Sequence, residues 1–568
     1  MLLSNLDLLA TAPGGVARLR ELILTLAVQG KLVPQDPADE PAGVLLQKIR
    51  AEKDRLIAEG KSKRDKPLAE IAEEEKPFEL PTQWEWVRLI DLMPEFQNGA
   101  SSRGDAGGTP ITVLRLADIK GKRISLAETR QVPIAPSDIA KYQLAEGDIL
   151  ITRVNGSADI VGQFNLCDRP VDAIYCDHFI RMRIDRRWVE PSFCALLGDS
   201  ALVRTAIKIL FITTAGQKTV NQGHIGSLQF PLPPLAEQSR IVARVEELMR
   251  LCDALEAKDR LEAAQHAQLV STLLGTLTAS TTPEELAANW QRVAQHFDQL
   301  LDRPDAIDAL EQTLLQLAVR GLLVPQDPTE EPASALLQKI RAEKDRLIAT
   351  GQIKRDKPLP PITDEEKPFQ LPVGWEWGRV GDVVELLNGY AFKSEWFKPA
   401  GVRLLRNVNI SHGHVDWSAP VVLDAVAAQS YEQFALRVGD IVLSLDRPII
   451  STGLKYAVIR DSDLPCLLLQ RVARLTACAC LSSEFLQLWL QSDLFVGTID
   501  PGRSNGVPHI STKQVAGLAF ALPPLAEQSR IVTRITALRR LCADLRKRLA
   551  DRQSVQARLA EALVASVA

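Results

Sequence analysis

The chain has 568 residues and a formal net charge of −4, with 46% hydrophobic and 24% charged residues. This length indicates three or more structural units at roughly 100 to 200 residues each, and the composition is that of a soluble globular protein. A membrane-spanning protein is excluded, because no apolar run approaches the ~20 residues that cross a bilayer. The N-terminus lacks the basic leader of a secretory signal, so we expect a cytoplasmic protein whose eight cysteines are reduced.

The first part of the chain has helical patterns. Apolar residues recur at helical spacing between Val16 and Gln29, and Gly30 then predicts the helix end. A second amphipathic stretch runs from Val44 to Glu59. We therefore predict an N-terminal helical region over residues 1–77, which ends in a polar linker.

Short β-branched runs broken by glycine follow, and they predict a sheet-rich domain over residues 78–234. Trp84 and Trp86 are expected to pack at its start. Arg181 and Arg183 alternate with apolar residues along one strand, so they share a polar face. That face either contacts phosphate or is occupied by salt bridges.

A long helical region comes next. Leu232 begins LPPLAEQSRIV, where the paired proline ends the sheet-rich domain and a helix begins. The helical pattern continues to about Leu277, which is roughly 65 Å if the helix is continuous. Further helices are predicted to start at a capping Thr282 and at Pro304. We assign residues 235–366 to a central helical spacer.

The same plan then repeats. LPPLAEQSRIV recurs from Leu522, AEKDRLIA begins at Ala51 and again at Ala342, and VPQDP and WEW recur at nearly the same offset. Residues 367–524 are thus predicted to form a second sheet-rich domain, and residues 525–568 a C-terminal spacer helix. The two termini correspond to the two sides of a cut in a cyclic repeat. We therefore expect the C-terminal helix to pair with the N-terminal helical region.

Both helices that follow LPPLAEQ carry a narrow stripe of apolar residues spaced by threes and fours. Such a stripe is typical of a coiled-coil seam, so we predict that the two stripes bury one another. The predicted seam residues are Ile241, Val245, Leu248, Cys252 and Leu255 in the first copy and Ile531, Ile535, Leu538, Cys542 and Leu545 in the second. The predicted fold class is α+β, with two sheet-rich globular domains separated by long antiparallel coiled-coil helices in an internal pseudo-twofold repeat.

The chain lacks the sequence motifs of several enzyme classes. It has no GxGxxG or Walker-type loop, no GxSxG, and no Asn/Asp-Pro-Pro-aromatic loop of a DNA amino-methyltransferase. Its ExK matches lie in helices or linkers, whereas a nuclease metal site needs them on strands. Cys478-x-Cys480 and His412-x-His414 lack the four-ligand spacing of a structural zinc site. We therefore predict a non-catalytic protein without a metal.

The duplicated LPPLAEQSRIV, together with GKLVPQDP, WEW and two variable domains, resembles the specificity subunit of Type I restriction–modification systems over essentially the whole chain. The resemblance implies two target recognition domains, each reading one half of a bipartite, asymmetric DNA site. It also implies that the helical spacers fix the gap and dock two modification subunits. Methylation and cleavage would reside in those partners and in restriction subunits, which would carry S-adenosylmethionine, ATP and Mg, with no cofactor in this chain.

Base reading requires Arg, Lys, Asn or Gln side chains presented on loops, because their donors match guanine and adenine edges. The candidate DNA-contacting residues of the first domain are Arg103, Lys120, Lys122, Arg123, Arg153, Asn155, Gln217, Lys218 and Asn221. Those of the second are Asn388, Tyr390, Lys393, Arg406, Asn407, Asn409, His412, Arg447, Arg503 and Asn505. Each of them is alternatively a solvated loop residue. Because the net charge is negative, we expect weak DNA binding without the partners.

Two other function classes stay open. One is a stand-alone methyltransferase or nuclease, which the missing motifs disfavour. The other is a helical scaffold protein whose two sheet-rich domains bind protein.

Overall fold

The computed structural model describes residues 11–61, 69–101, 107–214, 216–280, 282–351, 358–451, 453–499 and 509–565. The chain divides into two compact units. Unit 1 contains Met1–Glu262 together with Arg552–Ala568, and unit 2 contains Ala263–Asp551. Each unit combines a sheet-rich domain with helices, so the predicted α+β class is confirmed. None of the helices within the described ranges is both long and apolar enough to cross a membrane.

Unit 1 opens with two helices, α1 (Gly15–Val28) and α2 (Ala42–Ala58). Gly30 ends the first of them in a left-handed conformation, with φ +69°. A Cβ at this position would lie 2.5 Å from Cγ of Pro81, so the glycine also allows the start of the sheet-rich domain to approach the helix end. The predicted N-terminal helices are therefore present, and their boundary has a steric reason.

The sheet-rich domain of unit 1 contains fourteen strands and four short helices among the described residues. The strands are β1 (Glu85–Arg88), β2 (Glu95–Asn98), β3 (Thr109–Leu114), β4 (Ile119–Lys120), β5 (Arg123–Ile124), β6 (Gln131–Ile134), β7 (Ile149–Thr152), β8 (Val154–Asn155), β9 (Phe164–Leu166), β10 (Ala173–Tyr175), β11 (Phe179–Arg183), β12 (Ile212–Thr214), β13 (Gln217–Thr219) and β14 (Gln229–Leu232). The helices are α3 (Pro136–Tyr142), α4 (Pro191–Asp199), α5 (Ala201–Leu210) and α6 (Gln222–Gly226), and the long α7 (Leu235–Ala279) follows β14.

The central sheet of unit 1 has the order β2-β11-β7-β9 and is antiparallel throughout. All four residues of β7 are buried. Ile149 and Ile151 belong to one apolar cluster, and Leu150 between them belongs to another. Since alternate residues of a strand point to opposite faces, this sheet is covered on both sides. Further sheets have the orders β10-β3-β6, β12-β13-β8, β4-β5 and β1-β14.

Unit 2 repeats this plan. Its helices are α8 (Pro283–Gln295), α9 (Phe297–Leu300), α10 (Pro304–Val319), α11 (Ala333–Ala349), α12 (Val380–Val383), α13 (Ala425–Gln429), α14 (Ser483–Gln491), α15 (Asp493–Val496), α16 (Thr512–Ala516) and α17 (Leu525–Ala565). Its strands are β15 (Glu376–Arg379), β16 (Val384–Asn388), β17 (Phe397–Lys398), β18 (Val402–Leu405), β19 (His412–Gly413), β20 (Val421–Leu423), β21 (Ile441–Ser444), β22 (Ile449–Ile450), β23 (Gly453–Leu454), β24 (Tyr456–Val458), β25 (Cys466–Leu468), β26 (Val472–Ala477) and β27 (Ala519–Leu522).

The central sheet of unit 2 has five strands in the order β16-β26-β21-β24-β19. A second sheet has the order β17-β20-β18-β25, and two strand pairs, β15-β27 and β22-β23, complete the unit. As predicted, the side chain of Thr282 caps α8, because its hydroxyl accepts a hydrogen bond from the Glu285 amide at 3.1 Å.

The repeated LPPLAEQ motif connects each sheet-rich domain to its long helix. β1 pairs with β14 so that Trp86 lies opposite Pro231, and β15 pairs with β27 so that Trp377 lies opposite Ala521. The two strand pairs therefore bring the start and the end of each domain together. Both tryptophans pack on a phenylalanine, at ring distances of 5.1 Å and 5.2 Å. The packing of Trp86 agrees with the expectation for the start of the first domain, and Trp377 repeats this contact in the second.

The glutamate of LPPLAEQ has a structural role in unit 1. Glu237 is fully buried and accepts hydrogen bonds from the Trp84 indole at 3.0 Å and the Gln35 amide at 2.6 Å. Burial raises the pKa of Glu237, and the hydrogen bonds from Trp84 and Gln35 oppose that rise. Glu237 of α7 thus connects the turn that follows α1, through Gln35, with the start of the sheet-rich domain, through Trp84. In unit 2 the buried Glu527 accepts from Gln326 at 3.2 Å.

The glutamine of LPPLAEQ closes the other side of the junction. The buried Gln238 accepts a hydrogen bond from the Glu190 amide at 2.8 Å and donates to the Pro233 carbonyl at 3.1 Å. Gln528 does the same in unit 2, accepting from Ser482 at 2.7 Å and donating to the Pro523 carbonyl at 3.0 Å. Both polar residues of the motif therefore make hydrogen bonds within their own unit.

The apolar stripes of the long helices have a different partner from the one predicted. Ile241, Val245 and Cys252 are buried in the core of unit 1, together with residues of α1. Arg20 of α1 also pairs with Asp253 at 2.7 Å. Leu248 and Leu255 pack against the same core.

The second stripe is buried within unit 2. Ile531, Ile535 and Cys542 lie in its core together with residues of α10, and Leu538 and Leu545 pack against it. Arg546 bonds Asp308 of α10 at 2.6 Å. Each stripe is therefore covered by a helix and a domain of its own unit, which corrects the prediction that the two stripes bury one another. An a/d stripe requires an apolar cover but does not specify which helix supplies it.

The C-terminal part of each long helix belongs to the other unit, from Ala263 onward in α7 and from Arg552 onward in α17. Val270, Leu274 and Leu277 of α7 lie in the core of unit 2. In unit 1, Ala560 of α17 is buried against Ala12. Arg18 of α1 donates to the Ala557 carbonyl of α17 at 2.6 Å.

Candidate nucleic-acid interface

Three loops of unit 1 meet at the end of β7. The Arg153 amide donates to the His178 carbonyl at 2.7 Å, and the Arg153 carbonyl accepts from the Val220 amide at 3.0 Å. The Arg153 guanidinium donates to the Asp177 carbonyl at 3.3 Å. The loop after β7, the turn before β11 and the segment after β13 thus form one polar edge, which we call corner 1 (residues 153–157, 176–178 and 217–224).

Several predicted residues lie together in corner 1. Lys218 is paired with Asn155 across the β13-β8 ladder, and its ammonium donates to the Gly156 carbonyl at 2.9 Å. The Asn155 amide oxygen accepts from the Ser157 amide at 2.8 Å. Asn221 caps α6 by accepting from the His224 amide at 2.9 Å. Arg153, Asn155, Gln217, Lys218 and Asn221 are distant in sequence, and the fold brings them to one place.

The end of β2 joins the same corner. Gln222 donates to the Asn98 side chain at 3.2 Å. The next residue, Gly99, is needed for close approach, because a Cβ there would lie 2.0 Å from the Cys176 carbonyl oxygen. Asn98 was not among the predicted contacts. Its signal in the sequence is the Asn-Gly pair, which recurs as Asn388-Gly389 in the second copy.

Unit 2 builds an equivalent edge, corner 2 (residues 445–448, 469–471 and 509–513). The Leu445 amide donates to the Arg471 carbonyl at 2.9 Å, and the Leu445 carbonyl accepts from the Ile510 amide at 3.0 Å. Asn388 donates to the Thr512 hydroxyl at 2.9 Å, as Gln222 and Asn98 bond in unit 1. A Cβ at Gly389 would lie 2.2 Å from the Leu469 carbonyl oxygen. The backbone plan is therefore shared by the two corners.

The side chains of corner 2 differ from those of corner 1. Asp446 pairs with Arg471 at 3.0 Å and with His509 at 2.9 Å. Arg447 is exposed, and its φ of +48° is a backbone conformation that non-glycine residues seldom adopt. None of the described residues pairs with its guanidinium. Arg471 and His509 were not among the predicted contacts, and the predicted Arg503 and Asn505 lie outside the described residues.

The basic candidates near β4 and β5 lie apart from corner 1 in the sheet order, and two of them are ion-paired. Lys120 pairs with Glu128 at 3.0 Å, and Lys122 pairs with Asp199 at 2.9 Å. Arg123 is exposed. Arg103 lies outside the described residues. For the two lysines, the alternative of a solvated and ion-paired surface position fits these contacts.

Three of the described candidates after β18 have internal partners. Arg406 donates to the Ala419 carbonyl at 2.6 Å, and His412 bonds the Leu454 carbonyl at 2.9 Å. Asn407 is half-buried at the start of a short 3-10 turn. Asn409 is only 2% exposed, and its amide donates to the Asp416 carbonyl at 3.0 Å. The burial of Asn409 corrects its prediction as a DNA contact, because a polar loop residue can bond its own loop.

Two further candidates belong to an aromatic cluster next to corner 2. Tyr390 packs on Tyr431 and Phe392, at ring distances of 4.8 Å and 5.0 Å. The Lys393 ammonium lies 5.8 Å from the Trp396 ring centre and 3.7 Å from a Glu395 oxygen. The aromatic side chains support the loop that follows Asn388.

The arginines of β11 serve the internal ion pairs of unit 1. Arg181 is 3% exposed and is paired with Glu95. Arg183 bonds both carboxylate oxygens of the buried Asp148, at 2.6 Å and 2.7 Å, which raises the pKa of Arg183. Of the two alternatives for this polar face, the structure therefore supports salt bridges.

One group of potential metal ligands lies in corner 1. Cys176, Asp177 and His178 place their ligand atoms within 4.8 Å of one another. Burial raises the pKa of the Cys176 thiol, which disfavours the thiolate that a metal would bind. The corresponding residues of corner 2 include Leu469 and Arg471, so the group is not common to the two domains.

Comparison with known proteins places the chain in a family. Residues 372–552 match the family described as Type I restriction modification DNA specificity domain. A crystal structure of the HsdS subunit from Thermoanaerobacter tengcongensis is 20% identical, with a TM-score of 0.42, and covers 86% of this chain and 98% of that one. The EcoEI specificity subunit of Escherichia coli is 34% identical over 589 residues, which cover 97% of this chain and 93% of that protein. The EcoAI specificity subunit of Escherichia coli is 45% identical over 559 residues, again with 97% and 93% coverage. The chain therefore belongs to the family of Type I restriction enzyme specificity subunits.

Proposed function

We propose that this protein is the DNA sequence-recognition subunit of a Type I restriction–modification complex, in which corner 1 and corner 2 each read one half of a bipartite, asymmetric site. The observation that carries the proposal is a shared backbone plan with different side chains. Both corners use the same three-loop junction and the same Asn-Gly approach, but Asn155 and Lys218 in one contrast with Arg447 and His509 in the other. Two domains that present different polar side chains on a shared junction are suited to reading two different sequences.

Methylation and cleavage are assigned to partner subunits. The sequence has none of the nucleotide-binding or methyltransferase motifs, so we place S-adenosylmethionine, ATP and Mg in the modification and restriction subunits and no cofactor in this chain. The two EcoAI and EcoEI relatives are named specificity subunits of restriction enzymes, which supports this division of labour.

We further propose that two copies of a modification subunit dock on equivalent helical surfaces. Unit 1 exposes Leu251 at 56% and Leu559 at 49%, and unit 2 exposes the repeat-related Leu541 at 58% and Leu269 at 51%. An exposed leucine is unremarkable alone, but its recurrence at the same repeat position supports a shared partner. Two equal surfaces predict two equal partners.

Sequencing of methylated bases in cells with this protein tests the recognition proposal. The chain is expressed with its modification subunit, and each protein is expressed alone as a control. A split, nonpalindromic motif that appears only with both proteins is the expected result. Arg447→Ala should then relax or abolish the half-site read by unit 2 and leave the other half unchanged, while Lys120→Ala, at an ion-paired position apart from the corner, should leave both intact. The absence of a motif, or a motif without a gap, would contradict the proposal. A motif that Arg447→Ala leaves unchanged in both halves would also contradict it.

The length of the helical spacer is tested by insertion. Residues 258–265 of α7 are exposed, so four alanines added after Lys258 extend the helix by about one turn without cutting the core. The insertion adds roughly 6 Å, or about two base steps. We expect methylation motifs with the same half-sites and a changed gap. An unchanged gap would show that α7 does not set it.

Docking is tested by the stoichiometry of purified complexes. Leu251→Glu and Leu541→Glu should each reduce the number of bound modification subunits from two to one, and the double variant should bind none. Leu261→Glu is the matched control, because this leucine is also exposed on α7 but its repeat position holds Asp551. The scaffold alternative would instead be supported if the sheet-rich domains captured protein and no DNA site were protected or methylated.

A further inference from the structure

The hairpin formed by β12 and β13 projects from corner 1. In the three-stranded sheet β12-β13-β8, β13 is central and β12 is an edge strand. The register places Thr213 opposite Lys218 and Thr214 opposite Gln217. Lys218 in turn lies opposite Asn155 of β8. The hairpin is thus fixed to the corner through one strand only.

The two faces of the hairpin have different surroundings. Alternation along a strand puts Thr213, Lys218 and Asn155 on one face. On that face the Lys218 ammonium already has a partner, because it bonds the Gly156 carbonyl. The other face, which we call the open face, carries Ile212, Thr214 and Gln217.

The open face is unusual because it exposes apolar surface beside polar groups. Ile212 is 57% exposed, and Ile209 just before the hairpin is 80% exposed. Thr214 and Gln217 are exposed as well, and no described residue bonds the side-chain amide of Gln217. Ile212 has more than half of its surface exposed and so contributes little to the core of unit 1, which makes the face suited to a partner.

The chemistry of the open face matches one kind of base pair. A two-stranded ribbon fits the major groove of B-DNA, where thymine presents its C5 methyl group and adenine presents N6 and N7. A glutamine amide can bond both adenine atoms, and an apolar side chain contacts the thymine methyl. Ile212 and Gln217 provide these two groups on one face. A protein partner is less favoured, because the open face includes Gln217, which belongs to the polar edge of corner 1.

We propose that the open face of this hairpin enters the major groove at the half-site of unit 1 and reads adenine–thymine pairing there, with Gln217 on adenine and Ile212 on the thymine methyl. The inference rests on the proposed function and refines it. It assigns specificity to two side chains and predicts that the first half-site contains an adenine–thymine pair that is read from the major groove.

The test uses the complex of this chain with its modification subunits and duplexes that carry the motif found by methylation sequencing. Replacing thymine by deoxyuridine removes only the methyl group, and replacing adenine by 7-deazaadenine removes only N7. The wild-type complex should lose several-fold in affinity when deoxyuridine replaces thymine at one position of the unit 1 half-site. Ile212→Ala should bind the thymine and deoxyuridine duplexes equally. Gln217→Ala should lose roughly 5- to 100-fold against the natural duplex and be insensitive to 7-deazaadenine.

The controls separate this inference from the proposed function. Thr213→Ala alters an exposed residue on the opposite face and should keep the wild-type response to both base analogues. If Ile212→Ala and Gln217→Ala keep the wild-type response, the inference is overturned while a bipartite motif still supports the proposed function. It is also overturned if these variants lower the number of bound modification subunits, because the face would then be a protein contact. If the wild-type complex has no bipartite motif, the proposed function itself fails.

Discussion

Removing the glutamate of one LPPLAEQ motif should destabilise only the unit that contains it. In unit 1, Glu237→Ala leaves the indole N–H of Trp84 without an acceptor, and Trp84 is 4% exposed. An unsatisfied buried donor costs about 1–3 kcal/mol. The one methylene that alanine lacks adds roughly 0.8 kcal/mol. Gln35 keeps its bond to the Gly30 carbonyl at 3.3 Å, so it adds little.

Removal of a buried charge offsets part of this cost, so we expect the free energy of unfolding of unit 1 to fall by about 1–3 kcal/mol. Hydrogen exchange measured by mass spectrometry at increasing urea concentrations resolves the two units. Peptides containing Ile149–Thr152 should exchange at lower urea, and peptides containing Ile441–Ser444 should not change. Glu527→Ala is the companion variant in unit 2; the Trp375 indole has no hydrogen-bond partner among the described residues, so the shift should be smaller and confined to peptides containing Ile441–Ser444. Equal shifts in both units, or none, would refute the local role of the motif.

Three further predictions concern single positions. Burial raises the pKa of Glu237 above its ordinary 4.5, so the stabilisation that Glu237 gives is complete below pH 4.5 and is lost as the pH rises through the folded-state pKa. The stability lost in Glu237→Ala, measured by the same exchange assay, should therefore be larger at pH 5 than at pH 8. A pH-independent loss would contradict this. Gly99→Ala should abolish recognition of the unit 1 half-site in methylation sequencing, because its Cβ would lie 2.0 Å from a backbone carbonyl oxygen, whereas Gly107→Ala meets nothing within 4 Å and should be silent. A hydrogen bond from Cys480 lowers the pKa of Cys478, whereas the pKa of every other thiol is raised, by the neighbouring Cys478 and burial for Cys480 and by burial for the remaining six. Iodoacetamide at neutral pH should therefore label Cys478 first, and Cys480→Ala should slow that labelling. Faster labelling of any other cysteine would be the contrary result.

The sequence predicted the repeat and the boundaries of its helices well because those features depend on local patterns. The glycine at position 30 and the cap at Thr282 act within a few residues of themselves, so their signals are complete in the sequence. The paired proline of LPPLAEQ likewise marks the helix start at Leu235. The glycine and the paired proline recur in the second copy, at Gly321 and Pro523, which strengthened these two signals.

The partners of surface and stripe residues could not be predicted in the same way. A stripe such as that of Ile241 specifies that something apolar covers it, and only the tertiary structure shows that the cover is α1. Polar residues present the converse problem. Asn409 and Arg181 have the composition of DNA-contacting residues, but both are buried against partners in their own domain. The corner residues came together because three loops cross at Arg153, which no local pattern encodes.

The division of the long helices also has a consequence for the order in which the protein is completed during synthesis. Once residue 551 has left the ribosome, every residue of unit 2 has been made. Unit 1 at that moment still lacks the segment that supplies Ala560 to Ala12 and the Ala557 carbonyl to Arg18, a pair separated by 539 positions. Unit 1 therefore contains both the first and the last residues of this sequence, and residues 552–568 can pack on it only after every residue of unit 2 has been synthesised.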